Sequence, residues 1–185
     1  MPSPDLLIRN ATVIDGTRKP RFRADIAVAK GKISRIGKIK EKGKKEIDAT
    51  GKIAAPGFID AHTHDDRLML SSPEMEPKVS QGVTTVVAGN CGISLAPAPK
   101  GMRAPVPVPM DLLDDEGGWF RFKTFKEYVR ALKKEPAATN CALLVGHSML
   151  RVQTMDDTSR IATRAEIEKM RAMVDEAMKA GAIGV

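Results

Sequence analysis

From residue 56 onward two kinds of apolar segment take turns, and that alternation restricts the fold more than any other feature of the chain. Val83 to Ala88 reads as a fully buried parallel strand, and Asn140 to Val145 as another. Helical periods lie between them. Thr124 with Glu127 three residues on is a capping-box pattern, Phe125, Tyr128, Val129 and Leu132 share one face, and Pro136 lies beyond the end. Thr163 with Glu166 opens another helix, striped by Ile167, Met170, Val174, Ala177 and Met178, and Gly181 closes it. Ser72 as cap and Pro73 at the first helical position predict a further helix, kept short or broken by Pro77. Ala182 to Val185 begins a fourth strand. Strands alternating with helices imply a parallel sheet with crossover helices. A closed eight-stranded barrel takes about 250 residues and builds its site at the C-terminal ends of its strands. The stretch from Pro56 to Val185 has room for the first three and a half strand–helix units. The expected class is α/β, the N-terminal part of a TIM-like (β/α)8 barrel.

Residues 1–55 read differently. Leu6-Leu7-Ile8 and Thr12-Val13-Ile14 are short strands, Asp15-Gly16 is a turn signal, and Lys30-Gly31-Lys32 marks a tight hairpin. No helical period appears, so the expectation is a small antiparallel sheet module, too small to hold much core alone. The domain boundary therefore falls between 1–55 and 56–185. Charge divides along the same line. The chain carries +7 overall, and 14 Lys and Arg against 6 Asp and Glu lie in the first 55 residues. Those charges alternate with apolar residues and lack interleaved aromatics, which suits the wet face of strands better than a nucleic-acid surface. No apolar run approaches the roughly 18–20 residues that span a bilayer, and Met1-Pro2-Ser3-Pro4-Asp5 does not resemble a signal peptide, so a cytoplasmic protein without membrane or nucleic-acid partners is expected.

The chemistry concentrates in Ala55-Pro56-Gly57-Phe58-Ile59-Asp60-Ala61-His62-Thr63-His64-Asp65-Asp66. On an extended strand Asp60, His62 and His64 point to one face. Two imidazoles there make half of a site for a borderline divalent metal such as zinc. Cys91 ends the next strand, in Gly89-Asn90-Cys91-Gly92, and a thiolate completes a chemically reasonable zinc set. Asp60 is expected to support the strand end or the histidines rather than the metal. His147 and Arg151 follow the third strand. His147 reads as lining the mouth of the site or as a structural hydrogen-bonder, and Arg151 as a contact to a substrate carboxylate or as part of an ion pair. Cys141 lies at the start of its strand and is expected in the core. Gly92 to Trp119, with Pro97, Pro99, Pro105, Pro107 and Pro109, leaves directly from Cys91 and is expected to cover the site as a lid.

The Pro-Gly-entered strand ending in His62-Thr63-His64 resembles the first barrel strand of the amidohydrolase superfamily. Gln81-Gly82-Val83-Thr84-Thr85 through Asn90-Cys91-Gly92-Ile93-Ser94, with Gly146-His147-Ser148-Met149-Leu150-Arg151, resembles its N-acyl-D-amino-acid deacylase (D-aminoacylase) branch. The resemblance runs from about Asp5 to Val185 and implies a zinc-dependent hydrolase cleaving N-acyl-D-amino acids to a D-amino acid and a carboxylate. It implies His62, His64 and Cys91 as metal ligands, with Cys91 principal. It also implies that residues 1–55 are part of a β-sandwich completed elsewhere, and that two further histidines and a catalytic aspartate lie beyond Val185. On that reading the chain is an N-terminal piece, inactive alone. Two alternatives stand beside it: a cyclic amidase of the dihydropyrimidinase or dihydroorotase type, and a noncatalytic metal-binding fragment.

Overall fold

The computed structural model describes residues 3–98 and 102–185; Met1 and Pro2 of the N-terminus and residues 99–101 of the Pro-rich segment lie outside the described residues. The chain forms two compact units, one running to Pro56 and the other starting at Gly57.

In the first unit, β1 (Leu6–Val13), β2 (Phe22–Ala29), β3 (Lys32–Gly37), β4 (Lys45–Asp48) and β5 (Ile53–Ala54) form one sheet in the order β3-β2-β1-β4, with β5 also on β1. The sheet is mixed, not antiparallel as expected: β4 and β5 both return parallel to β1. Where the sequence suggested two short strands there is one bent strand, its register to β2 slipping between Ile8 and Ala11. The bulge puts Asn10 at φ 59°, and Asp25 takes the freed Asn10 N–H at 2.9 Å while pairing with Arg9 at 3.3 Å. Arg9 also pairs with Glu46 at 3.0 Å. The Lys30-Gly31 turn takes positive φ at both residues, as a two-residue hairpin requires. Small apolar clusters, one of Ala11, Val13, Ala24, Ile26 and Ala49 and one of Leu7, Ala27 and Ile39, make the unit's core.

In the second unit β6 (Phe58–Asp60) is followed by two single turns, α1 (Leu68–Ser71) and α2 (Glu76–Val79), and then by β7 (Val83–Ala88). The helix expected from Ser72 does not form. Ser72 lies just beyond α1, buried Met75 takes a left-handed conformation at φ 50°, and Pro77 falls in the first turn of α2, where its missing N–H costs nothing. After the Pro-rich segment come α3 (Phe125–Lys134), β8 (Asn140–Leu143), α4 (His147–Thr154) and α5 (Arg164–Ala180). Strands β6, β7 and β8 pair in parallel in that order. The expected fourth strand is present only as a parallel bridge from Leu144 to Gly184, flanked by Ile183 N–H donating to Leu143 at 2.8 Å and Val145 N–H to Gly184 at 3.0 Å.

Packing here is one-sided. Val86 and Ala88 of β7 are buried beside Leu143 and Val145, against Phe125 and Tyr128 of α3, while Thr84 is exposed. So β7 is not the fully buried strand expected, and Phe58 and Ile59 are about two-thirds exposed. Cys141, expected in the core, is exposed as the second residue of edge strand β8. Of the described residues of the Pro-rich segment, Ile93, Leu95, Ala96, Met110 and Leu113 are buried in the main core, while Val108 and Leu112 are exposed. Both long helices start as their sequences require. Thr124 accepts the Glu127 N–H at 3.2 Å, and Thr163 and Glu166 form a reciprocal box. Gly181 ends α5 at φ 113°. No helix among the described residues is long and apolar enough to cross a membrane.

Candidate metal centre

Strand β6 stops at Asp60, so the histidines sit on the loop after it and not on the strand. Parity therefore does not carry Asp60 with them. One of its carboxylate oxygens accepts the His62 N–H at 3.3 Å and the other takes the Lys78 ammonium at 2.7 Å, which holds the carboxyl below its usual range. The loop remains tied to the sheet, because Thr63 N–H donates to the Val87 carbonyl at 3.2 Å.

Cys91 comes from the adjacent strand end. Beyond β7 the chain turns through Gly89 at φ 88°, a 3-10 turn Asn90–Gly92, and Gly92 at φ 76°. Cys91 itself sits at φ 55° and ψ 22°, a left-handed conformation that a residue with a side chain adopts only when its surroundings enforce it. Gly89 enforces part of it. A Cβ there would lie 2.1 Å from the Leu144 carbonyl oxygen, so only glycine lets the turn pass so close to the strand beside it.

The two loops bring His62, His64 and Cys91 together, with one ligand atom from each lying within 4.8 Å of the others. His62 Nε2 is 3.2 Å from Cys91 Sγ, and the two imidazoles meet edge to face at 5.7 Å. Zinc–sulfur and zinc–nitrogen bonds of about 2.3 and 2.0 Å put tetrahedral ligands roughly 3.5 Å apart, so the set has the right scale. His64 Nδ1 is buried with no hydrogen-bond partner, a donor or acceptor left for something the protein does not supply. Two imidazoles and one thiolate suit a borderline divalent ion, and the residues present fit such a metal.

Several residues that sequence reasoning passed over hold this arrangement. Asn90 donates from its side-chain nitrogen to both the Thr63 carbonyl (3.2 Å) and the Val87 carbonyl (2.7 Å), joining the histidine loop to the cysteine turn. Buried Asp66 accepts the Gly89 N–H at 3.1 Å, and its carbonyl accepts the Tyr128 hydroxyl at 2.9 Å. Burial pushes the Asp66 carboxyl up to about 7. Lys78 reaches Asp60, Asp65 (3.0 Å) and Thr63 Oγ1 (3.2 Å). Burial draws its ammonium pKa down, but the bonds to Asp60 and Asp65 outweigh that and leave it raised. The signal for these residues lay in the quoted stretch itself, since Asp65 and Asp66 follow the histidines directly; a lysine twelve residues further on gave none.

The remaining expected residues lie outside the cluster. His147 is the exposed first residue of α4. Arg151 is further along that helix, where one guanidinium nitrogen donates to the Thr158 and Arg160 carbonyls, at 2.6 and 2.9 Å. A cavity of about 290 Å³ runs from His64 and Arg67 to Asp111 and Asp114 of the Pro-rich segment, with Arg67 paired to buried Asp114 at 3.3 Å.

The chain is similar to several known proteins. The chain is 54% identical over 182 residues to the N-acyl-D-aspartate deacylase of Alcaligenes xylosoxydans xylosoxydans, covering 98% of this chain and 36% of that protein. A crystal structure of D-aminoacylase superposes with a TM-score of 0.92 at 49% identity, over 97% of this chain and 37% of the other. The N-acyl-D-glutamate deacylase of Bordetella bronchiseptica, solved with zinc and a phosphonate that mimics the tetrahedral intermediate, superposes at 0.89 with 41% identity, over 99% and 38%. The chain thus spans little more than a third of the length of these relatives. The amidohydrolase family profile matches residues 45–185, and the chain belongs to the amidohydrolase family.

Proposed function

We propose that the chain supplies the first metal-binding strands of a zinc-dependent deacylase acting on N-acyl-D-amino acids, with a D-amino acid and a carboxylate as products. The observation that carries this reading is the convergence of His62, His64 and Cys91 from two consecutive strand ends. Cysteine beside a His-x-His pair in a chain 54% identical to an N-acyl-D-aspartate deacylase supports a linear amide over a cyclic one. When bound, zinc acidifies water and polarises the amide carbonyl. The chain's own residues do the positioning. His62 and His64 offer nitrogen donors, Cys91 offers a sulfur donor, and Asp111 to Asp115 of the Pro-rich segment wall the cavity beside His64. In this reading the Pro-rich segment acts as a fixed cover over the substrate, Arg151 meets the substrate carboxylate, residues 1–55 are part of a β-sandwich, and the protein works in the cytoplasm on a small molecule. Arg151 lines a cavity of about 220 Å³ with Val108, Met110 and Ser148, and His62, His64 and Cys91 are not among its described lining residues.

The test is a chimera in which this chain replaces the matching third of the Alcaligenes N-acyl-D-aspartate deacylase. Zinc-dependent release of D-aspartate from its N-acetyl derivative, lost in Cys91→Ala, is the expected result. Ring opening of a dihydropyrimidine to an N-carbamoyl amino acid instead, or a folded chimera without zinc-dependent deacylation, would overturn the reading.

A further inference from the structure

Lys78 stands out because its ammonium touches the histidine loop at three points that bracket the metal donors. It hydrogen-bonds Asp60 two residues before His62 (2.7 Å) and Thr63 Oγ1 between the two histidines (3.2 Å), and forms an ion pair with Asp65 directly after His64 (3.0 Å). The lysine side chain is only 20% exposed, and Asp65 14%. Long aliphatic side chains do not give up solvent and rotamer freedom for one exposed ion pair, which contributes little. The ammonium donates hydrogen bonds to Asp60 at the end of β6 and to Thr63 on the loop, and its charge is also balanced by Asp65, all within six residues of chain. The lysine comes from α2, a single turn fixed in place by buried Met75 on one side and by the start of β7 at Gly82-Val83 on the other. The loop after β6 has no helix or strand of its own between Asp60 and Leu68, so something outside it must define the direction of the two imidazoles.

We infer that Lys78 is a positioning residue for the metal centre: it holds the His62-Thr63-His64 loop in the conformation that aims both imidazoles at Cys91. The inference rests on the metal reading above, since it gives those imidazoles a common target.

Charge and position make opposite predictions, which lets them be separated. Lys78 carries a positive charge close to a site for a divalent cation. If it acted through charge alone, neutralising it would remove a repulsion, leave Asp60 and Asp65 uncompensated, and tighten metal binding. If it acts by holding the loop, neutralising it weakens binding despite the more favourable field. Residues that orient metal ligands from behind typically carry 10–100-fold of the affinity.

The experiment is a cobalt(II) titration of the metal-free chain, reading both affinity and the near-ultraviolet thiolate-to-cobalt band, for the native sequence and for Lys78→Met, Lys78→Gln and Lys78→Arg. Expected are about tenfold weaker binding in Lys78→Met with a weakened thiolate band, a smaller loss in Lys78→Gln, and recovery to within about threefold in Lys78→Arg. Circular dichroism of the metal-free proteins identifies any variant that fails to fold, in which case the Gln and Arg variants carry the comparison. Unchanged or tighter binding in the folded neutral variants overturns the inference. Failure of the native chain to bind cobalt through Cys91 would instead overturn the metal reading on which it rests.

Discussion

The two loops that meet at the candidate metal centre are held in opposite ways. The histidine loop after β6 has one backbone tie, Thr63 N–H to the Val87 carbonyl, and is otherwise held by side chains: Lys78 across Asp60, Thr63 and Asp65, and Asn90 on the Thr63 carbonyl. The cysteine turn after β7 is held by backbone shape, with left-handed conformations at Gly89, Cys91 and Gly92 and a Gly89 that nothing larger can replace. A side-chain-held loop tolerates changes of backbone and fails when charge or hydrogen bonding is altered. The cysteine turn also leans on one side chain, since Asp66 accepts the Gly89 N–H at 3.1 Å, but its first point of failure is an added Cβ. The difference fits the donors. Two imidazoles on longer side chains need aiming, whereas the short cysteine side chain goes where its Cα is placed.

The largest effect should come from adding a single methyl group to the backbone-held turn. Gly89→Ala puts a Cβ into the Leu144 carbonyl and forces a positive φ, and we expect a loss of about 3–5 kcal/mol or failure to fold, read by urea denaturation. A folded Gly89→Ala within 1 kcal/mol of the native stability would break the comparison.

Next is Cys91→Gly. It removes the thiolate, so cobalt affinity should fall by at least about 100-fold, while release of the left-handed strain at φ 55° should raise the stability of the metal-free chain by about 1 kcal/mol. Opposite signs for binding and stability would show a residue kept for its chemistry at the expense of its backbone.

Asn90→Ala cuts the link between the two regions. It leaves the buried Thr63 and Val87 carbonyls without the side-chain donor they share, and about 1–3 kcal/mol of stability should be lost. Metal affinity should fall with it, because the histidine loop is then free to move relative to the cysteine turn.

The smallest effect separates the site from its scaffold. At the start of α5, Arg160 and the Thr163 groups hold the Glu166 carboxyl down to about 2, against an ordinary 4.5. A depressed folded-state value stabilises above the unfolded value and is lost as pH falls through the folded one, so this cap should weaken between about pH 4.5 and 2. Hydrogen exchange should show the first turn of α5 loosening over that range, and Glu166→Gln should remove the pH dependence. The Gly89–Gly92 turn, which owes its shape to backbone conformation, should not respond in the same window.

Much of this was legible from residues whose physical meaning is local. Thr163, Glu166 and Gly181 announce both ends of α5, Thr124 announces the start of α3, and a cysteine between glycines after a Val-rich strand stands out beside His-x-His. What escaped was decided by distant partners. Helix α4 follows Gly146, which has no capping side chain, and buries only Met149 and Leu150, so its eight residues carried too little periodicity to notice. Ser72-Pro73 looked like a helix start but yielded to the left-handed Met75. The bulge at Arg9 and Asn10 depends on Asp25 from the next strand, and Lys78 gains its meaning only when α2 is folded beneath the histidine loop.

The most direct test of the account is X-ray absorption at the zinc edge on the zinc-loaded chain. The account predicts stoichiometric zinc with one sulfur neighbour at about 2.3 Å and nitrogen or oxygen neighbours at about 2.0 Å, the sulfur disappearing in Cys91→Ala. A zinc shell of nitrogen and oxygen alone in the native chain, or no stoichiometric zinc, would contradict it.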